Sequence, residues 1–196
     1  MACVGRVSAA CRGWQFFMTM EKLKEKYVKS VIPEMKKKFG YKNDLSVPKI
    51  VKVVIATGTG SLKDANKKDS IEKAMDSIAG QKTAKNRAKK SIASFKLREG
   101  MEIGYSATLR GKRMYDFLEK LITVAIPRVR DFRGLEPGLI DNMGNLSMGF
   151  KEHIIFPETS EQDVRDTFGL GVTVVTDAKT KKEALEFLKL MGFPIK

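Results

Sequence analysis

The chain has 196 residues, and its 37 lysines and arginines against 23 aspartates and glutamates give a formal net charge of +14. Hydrophobic residues make up 42%, which excludes a disordered chain, and no apolar run approaches the roughly 18 residues that cross a bilayer. A folded domain this basic is expected to bind a polyanion, either nucleic acid or an anionic membrane surface. His153 is the only histidine, and both cysteines lie in the first eleven residues. The sequence therefore predicts no metal site and no cofactor.

Residues 1–19 differ from the rest of the chain, since they contain two arginines, no acid and the only tryptophan. Three interpretations stay open: an organellar transit peptide, a spurious upstream extension and a functional basic arm. We favour the spurious extension, because Met18 and Met20 each immediately precede a good helix start. The folded domain is therefore expected to span residues 20–196.

The hydrophobic pattern predicts a single α+β domain, with a largely antiparallel sheet and helices packed on one face. Apolar residues three or four apart predict helices over 20–39, 64–79 and 112–124, and a last helix from the capping box Thr180–Glu183 to Gly192. Alternating or β-branched residues predict strands over 50–55, 103–109, 146–150, 153–156 and 170–176. Pro33 is expected to bend or break the first helix and Pro127 to end the third, and residues 128–149 are predicted to form a long loop.

Basic residues form three clusters along the chain. Residues 81–98 hold seven cations, no anion and one aromatic residue, Phe95. Arg110, Lys112 and Arg113 form a second cluster, and Arg128, Arg130 and Arg133 form a third. Three clusters on one small domain indicate an extended phosphate-binding track, which is typical of a protein that recognises folded RNA by its shape and backbone. Within the first cluster, Thr83–Lys90 has too few apolar residues to pack, so we expect a mobile loop there.

Six stretches of the chain together resemble one known family. They are Gly80–Lys82, Ala88–Gly100, Thr108–Gly111, Ile126–Leu135, Gly144–Gly149 and Ile154–Glu158. From Met20 to Lys196 the chain resembles the bacterial-type large-subunit ribosomal protein family that binds 5S rRNA, the fifth protein of that subunit. The run Pro-Arg-Val-Arg-Asp-Phe-Arg-Gly at Pro127–Gly134 is highly specific to that family.

The resemblance implies a structural constituent of the large ribosomal subunit, not an enzyme, that seats 5S rRNA in the central protuberance. The rRNA contacts of the family fall here on Lys52, Gln81, Thr108 and Arg110. Gln81 and Thr108 can bond to a 2′-hydroxyl or a phosphate, and Lys52 and Arg110 can pair with phosphate.

The resemblance further implies two contacts beyond 5S rRNA. A basic loop, with Lys82, Lys85, Arg87, Lys89 and Lys90, is expected to reach the elbow of peptidyl-site tRNA. The long central loop, with Arg128, Arg130 and Arg133, is expected to contact a small-subunit head protein in an intersubunit bridge. Large-subunit rRNA and neighbouring large-subunit proteins complete the expected partners, with no membrane among them. The expected location is a cytoplasmic ribosome, or an organellar ribosome if residues 1–19 are a transit peptide.

Three sites depart from the pattern of the family. Ala56 stands where the family usually has Asn, and Thr83 stands where it tends to have Pro. Phe168 and Gly171 replace its usual Arg and Asp. Two polar contacts to 5S rRNA are therefore missing, which predicts either a lower affinity or compensation by other cations.

The basic composition is also compatible with two other classes of protein. A generic basic RNA-binding protein or an anionic-membrane-surface protein is the alternative, but a membrane-surface protein needs an exposed basic amphipathic helix. The predicted helices instead carry core-facing apolar stripes. A small-molecule enzyme would need convergent titratable residues, which the sequence does not show. After Gly58–Gly60, Lys63 stands where a dinucleotide-binding loop needs a third glycine, and the Gly-Lys-Ser/Thr ending of a P-loop is absent.

Overall fold

The computed structural model describes residues 23–60, 62, 64–130, 132–159 and 167–196. The extension predicted over residues 1–19 and the predicted start of the domain at Met20 lie outside the described residues. The described chain begins with α1 (Leu23–Lys26), a π-helical turn (Tyr27–Val31) and α2 (Ile32–Phe39), which follow one another without a gap.

Pro33 does not break this first helix, because the π-helical turn comes directly before it. The Ile32 N–H bonds to the Tyr27 carbonyl, five residues back instead of four. The wider turn gives the proline ring the room that a regular α-helical turn would deny it. Gly40, with φ of 69°, ends the helix as predicted.

The five strands form one antiparallel sheet in the order β2-β3-β1-β5-β4. Their bounds are β1 (Ile50–Gly58), β2 (Ala84–Arg87), β3 (Glu102–Leu109), β4 (Leu146–Phe150) and β5 (Leu170–Thr176). Four of these strands were predicted, whereas β2 was not. Since a strand presents alternate residues to opposite faces, the sheet has a buried inner face and an exposed outer face.

The helices and the inner face of the sheet enclose one core. α3 (Ala65–Ala79) and α4 (Gly111–Lys120) lie against the sheet, and α6 (Lys181–Met191) packs on α2. Their fully buried side chains meet those of the inner face, among them Val53, Ile55, Met75, Leu118 and Phe187. The predicted α+β fold is therefore confirmed.

The third helix also continues through its proline. α4 runs into a π-helical turn (Leu121–Ala125) and then α5 (Ile126–Arg128), so the prediction that Pro127 ends the helix is wrong. The Ile126 N–H bonds to the Leu121 carbonyl, five residues back. This is the same solution that precedes Pro33, and it places Arg128 on the helix end.

The predicted strand over residues 153–156 is wrong. His153–Ile155 and Pro157–Thr159 are two short 3-10 helices, and Thr159 donates its hydroxyl to the His153 carbonyl over 2.9 Å. Buried side chains rather than strand pairing hold the segment, because His153, Ile155 and Phe156 all turn into the core. The β-branched pair Ile154–Ile155 suggested a strand, but propensity yields to packing in a run this short.

The loop before β4 has little regular structure, as predicted, but is fixed to the domain at two points. Leu135 forms a parallel β-bridge with Ile195, and Ile140 forms an antiparallel bridge with Leu146. Both Leu135 and Ile140 are buried. The loop therefore extends from the end of α5 to the β4 edge of the sheet, opposite the β2 edge.

Candidate nucleic-acid interface

The outer face of the sheet is lined by small side chains. One row crosses all five strands in register, and it consists of Ala84, Ser106, Ala56, Gly171 and Gly149. The next row across four strands contains Thr108, Val54, Thr173 and Ser147. A surface with so little side chain lets a sugar–phosphate backbone approach the sheet closely, and its hydroxyls can both donate and accept hydrogen bonds.

The four residues to which the rRNA contacts were assigned come together at one end of this face. Lys52 lies on β1 and Arg110 directly follows β3, each one residue beyond the paired Val53 and Leu109. Thr108 is exposed on the same face, two residues before Arg110. The sequence positions are widely separated, so the antiparallel pairing of β1 with β3 is what makes them neighbours.

Gln81 joins this group through a bond to the backbone. Its Nε2 donates to the Thr108 carbonyl over 3.1 Å, and Arg113 Nη1 donates to its Oε1 over 3.5 Å. These bonds hold the amide beside β3 and bring Arg113, from the second basic cluster, into the same group. Lys112 is exposed on the neighbouring position of α4. We call Lys52, Gln81, Thr108 and Arg110 the polar cluster.

The first basic cluster is not a single loop, and the prediction of a loop over Thr83–Lys90 is wrong. Ala84–Arg87 form β2, which pairs with β3 at the edge of the sheet. Thr83 directly precedes the strand, and both its N–H and its hydroxyl donate to Asp76 Oδ1, over 2.7 and 2.8 Å. The carboxylate on α3 thus fixes the point where the chain enters β2.

Lys85 differs from the other cations of the cluster because it is neutralised by acids. Its Nζ lies 2.7 Å from Glu72 Oε2 and 3.7 Å from Glu102 Oε1, and 5.9 Å from the centre of the Tyr105 ring. The hydrogen bond to Glu72 raises the pKa of Lys85 above its ordinary value. Lys85 therefore ties β2 to α3, on the inner side of the sheet, and its charge is balanced by Glu72 and Glu102.

Beyond β2, the chain extends into a long hairpin tip that we define as Ala88–Met101. Two backbone bonds close its base, from the Ala88 N–H to the Met101 carbonyl and from the Gly100 N–H to the Ala88 carbonyl, over 2.8 and 3.0 Å. Four exposed cations lie on this tip: Lys89, Lys90, Lys96 and Arg98. Lys82, two residues before β2, and Arg87, the last residue of β2, are also exposed.

The third basic cluster lies elsewhere on the molecule. Arg128, Arg130 and Arg133 are all exposed, at the end of α5 and the start of the long loop. Arg130 is 85% exposed and lies 3.8 Å from Glu152, a distance at which an exposed ion pair adds little stability. The structure does not bring this cluster into the polar cluster, because its loop runs to the opposite edge of the sheet.

Sequence reasoning missed part of the outer face. Ser106, Thr173 and Ser147 present hydroxyls beside the polar cluster, and Asp76 orients the entry to β2. The alternation within β3, β4 and β5 could have identified the first three as outward residues. Nothing in the sequence around Asp76 indicated its role, since that role depends on how α3 meets the following strand.

Other kinds of site find no support in the described part of the chain. No group of three or more His, Cys, Asp or Glu side chains among the residues described could hold a metal ion. None of the described helices is both long and apolar enough to cross a membrane. His153 is buried and stacks on Phe168, with ring centres 4.1 Å apart, so it is a core residue.

Comparison with known proteins agrees with these observations. Residues 43–98 match the family model described as ribosomal protein L5, and residues 102–195 match the model for the C-terminus of the same ribosomal protein family. The large ribosomal subunit protein uL5 of Halothermothrix orenii is 48% identical over 176 residues, which cover 89% of this chain and 98% of that protein. Proteins of the same name from a Thermoanaerobacter species and from Dictyoglomus turgidum are each 48% identical over 178 residues. The chain therefore belongs to the ribosomal protein L5 family, whose members are structural proteins of the large ribosomal subunit and not enzymes.

Proposed function

We propose that this protein binds 5S rRNA through the outer face of its sheet and seats that RNA in the central protuberance of the large ribosomal subunit. The observation that carries the proposal is the polar cluster. Lys52, Gln81, Thr108 and Arg110 come from separate parts of the sequence and meet at one end of an exposed face lined by small residues.

The chemistry of this face suits an RNA backbone. Lys52 and Arg110 can pair with two neighbouring phosphates. Thr108 and Gln81 supply groups that can hydrogen-bond to a ribose 2′-hydroxyl. The residues beside them have small side chains, so the RNA backbone can approach the sheet closely. Recognition of this kind depends on the shape and the backbone of the RNA more than on its base sequence.

The other two basic regions suit further partners in the ribosome. The hairpin tip Ala88–Met101 extends from the β2 edge and carries four exposed cations, which favours contact with the elbow of peptidyl-site tRNA. Arg128, Arg130 and Arg133 lie on the loop that leads to the other edge and suit a small-subunit head protein across an intersubunit bridge. Large-subunit rRNA and neighbouring proteins surround the rest of the domain. Because the relatives compared are bacterial, we place this assembly in a bacterial-type cytoplasm.

Titration of 5S rRNA at several salt concentrations tests the main proposal. If phosphate contacts dominate, the logarithm of the affinity falls linearly with the logarithm of the salt concentration, by about 0.7–0.9 for each contact. Replacing Lys52 and Arg110 by glutamine should reduce that slope by about two contacts. A matched control replaces Lys37 of α2 and Lys189 of α6 by glutamine, since both are exposed and neither helix carries a residue of the polar cluster. An affinity that does not depend on salt, or an equal reduction of the slope by the control, would contradict the proposal.

A further inference from the structure

Phe95 is an exposed aromatic residue at the far end of the hairpin tip. Its side chain is 71% exposed, whereas the only other exposed phenylalanine among the described residues, Phe39, is 37% exposed. The remaining phenylalanines of the described chain are buried or half-buried against the core. An aromatic ring this exposed loses the stabilisation that burial would give it, so its position calls for a partner outside the chain.

The backbone around Phe95 is held in a defined shape. Ile92 and Leu97 exchange two backbone hydrogen bonds, over 3.1 and 3.2 Å, and the Lys96 N–H bonds to the Ala93 carbonyl over 3.0 Å. Lys96 is the one non-glycine residue with a positive φ in the described chain, at 54°. A left-handed lysine is strained, and the turn keeps that strain because its hydrogen bonds fix the conformation. Phe95 is therefore presented on a closed turn whose shape exists before any partner binds.

The surroundings of the ring identify the chemistry of its partner. The hairpin tip holds four cations and one anion, Glu99, so its field attracts a polyanion. Small residues, Ser91, Ala93 and Ser94, precede the ring and leave its approach open. A cationic surface with one projecting aromatic ring matches the pattern of an RNA contact in which phosphates bind lysine and arginine while a base stacks on the ring. An apolar protein partner would have to desolvate the same cations, which disfavours it.

We propose that Phe95 stacks on an exposed nucleobase of the tRNA that the hairpin tip contacts, so that the tip binds a base face as well as phosphates. The inference rests on the proposed tRNA contact and adds the kind of interaction made there. Stacking and phosphate pairing respond differently to salt, because a neutral ring releases no counterions. The two contributions can therefore be separated by experiment.

The test measures the affinity of tRNA for the peptidyl site of ribosomes that carry variants of this protein. Phe95→Leu keeps an apolar side chain but removes the aromatic face, and we expect a loss of about 5- to 150-fold, with an unchanged dependence on salt. Phe95→Trp should retain the affinity, since indole also stacks. Phe39→Leu, at the other exposed phenylalanine, is the matched control and should have no effect. Equal losses with leucine and tryptophan, or no loss with leucine, would overturn the stacking proposal.

A second set of variants distinguishes an error in the stacking proposal from an error in the proposed tRNA contact itself. Replacing Lys89, Lys90 and Lys96 together by glutamine should weaken tRNA binding and reduce its salt dependence. If this triple variant weakens binding and Phe95→Leu does not, stacking is wrong and the phosphate contact stands. If neither alters tRNA binding, the contact at the hairpin tip is wrong, and stacking with it. Binding of 5S rRNA, measured alongside, should be unchanged in every variant, and an equal loss there would assign Phe95 to the 5S rRNA surface instead.

Discussion

Thr108→Val removes one hydroxyl from the polar cluster and leaves the rest of the cluster in place. Thr108 is exposed on β3, where it pairs with Val54 through backbone bonds that valine can also make. The bond from Gln81 goes to the carbonyl of Thr108 and not to its hydroxyl, so the substitution does not release Gln81. Valine has the same shape as threonine and favours strands, and we therefore expect an unchanged fold.

The expected loss follows from the hydrogen bond that the RNA would no longer find. A ribose hydroxyl or phosphate oxygen held against a methyl group, with no water in reach, costs about 1–3 kcal/mol. That range corresponds to an affinity for 5S rRNA lower by about 5- to 150-fold. Since the hydroxyl carries no charge, the dependence of the affinity on salt should stay the same. Arg110→Gln should instead reduce that dependence by about 0.7–0.9.

Both variants are measured by titration of 5S rRNA at several salt concentrations, with thermal unfolding as a check on the fold. Thr123→Val is the matched control, because Thr123 is an exposed threonine of the π-helical turn after α4 and bonds to the Glu119 carbonyl of its own helix. Thr173→Val, in the same row of the sheet as Thr108, reports how far the RNA extends across the face. An unchanged dissociation constant for Thr108→Val, with the fold intact, would refute the assignment of Thr108 to the interface.

Three further predictions concern the neighbouring elements. Ala56→Asn should strengthen binding of 5S rRNA by about 0.5–1.5 kcal/mol in the same titration. Ala56 is exposed on the outer face, so an amide there can reach the RNA. Weaker binding would show that the face needs a small residue at this position. Thr83→Val should destabilise the domain by about 1–2 kcal/mol in urea unfolding. The substitution removes the hydroxyl bond to Asp76 from a buried site and leaves the N–H bond. An unchanged stability would show that the N–H bond alone holds the start of β2. Glu72→Gln should lower the raised pKa of Lys85, as followed by NMR titration of its side chain. A raised lysine pKa stabilises the fold below the pKa of the unfolded chain, and this stabilisation is lost as the pH rises through the raised pKa, so the variant should differ least from the parent in strong alkali.

The sequence was a good guide where a hydrophobic pattern extends over several turns or alternations. α3 begins after Asp64 and ends at Gly80, as predicted, and the Thr180 hydroxyl accepts the Glu183 N–H at the start of α6. The polar cluster was reached by resemblance, and it could not have been assembled from residue patterns alone. Lys52 and Arg110 become neighbours only through the register of β1 with β3, which is set by the burial of Val53 and Leu109 on the other face.

The failures share a physical cause, since each concerns a local rule that tertiary structure overrides. The ring of a proline clashes with the preceding turn of a regular helix. A π-helical turn before Pro33 and before Pro127 makes room for the ring, so the helix stays continuous. β2 has only four residues, all exposed, and no hydrophobic pattern. It is a strand because β3 offers it an edge and because Asp76 and Glu72 hold Thr83 and Lys85 from α3.

The departures from the family pattern also gain a physical meaning from the fold. Ala56 and Gly171 lie directly opposite each other on β1 and β5, so the missing Asn and Asp leave one gap on the outer face instead of two. Phe168 cannot replace a contact with RNA, because its ring is buried against His153 and its N–H donates to His153 Nδ1 over 3.4 Å. The affinity for an RNA on this face therefore depends on the polar cluster at the end of the small-residue rows. A polar side chain on either β1 or β5 can fill the gap beside that cluster. If so, Ala56→Asn and Gly171→Asn should each strengthen binding, since an amide can bond to the RNA without repelling its phosphates, and the double variant should gain less than the sum of the two, since residues in contact are not additive.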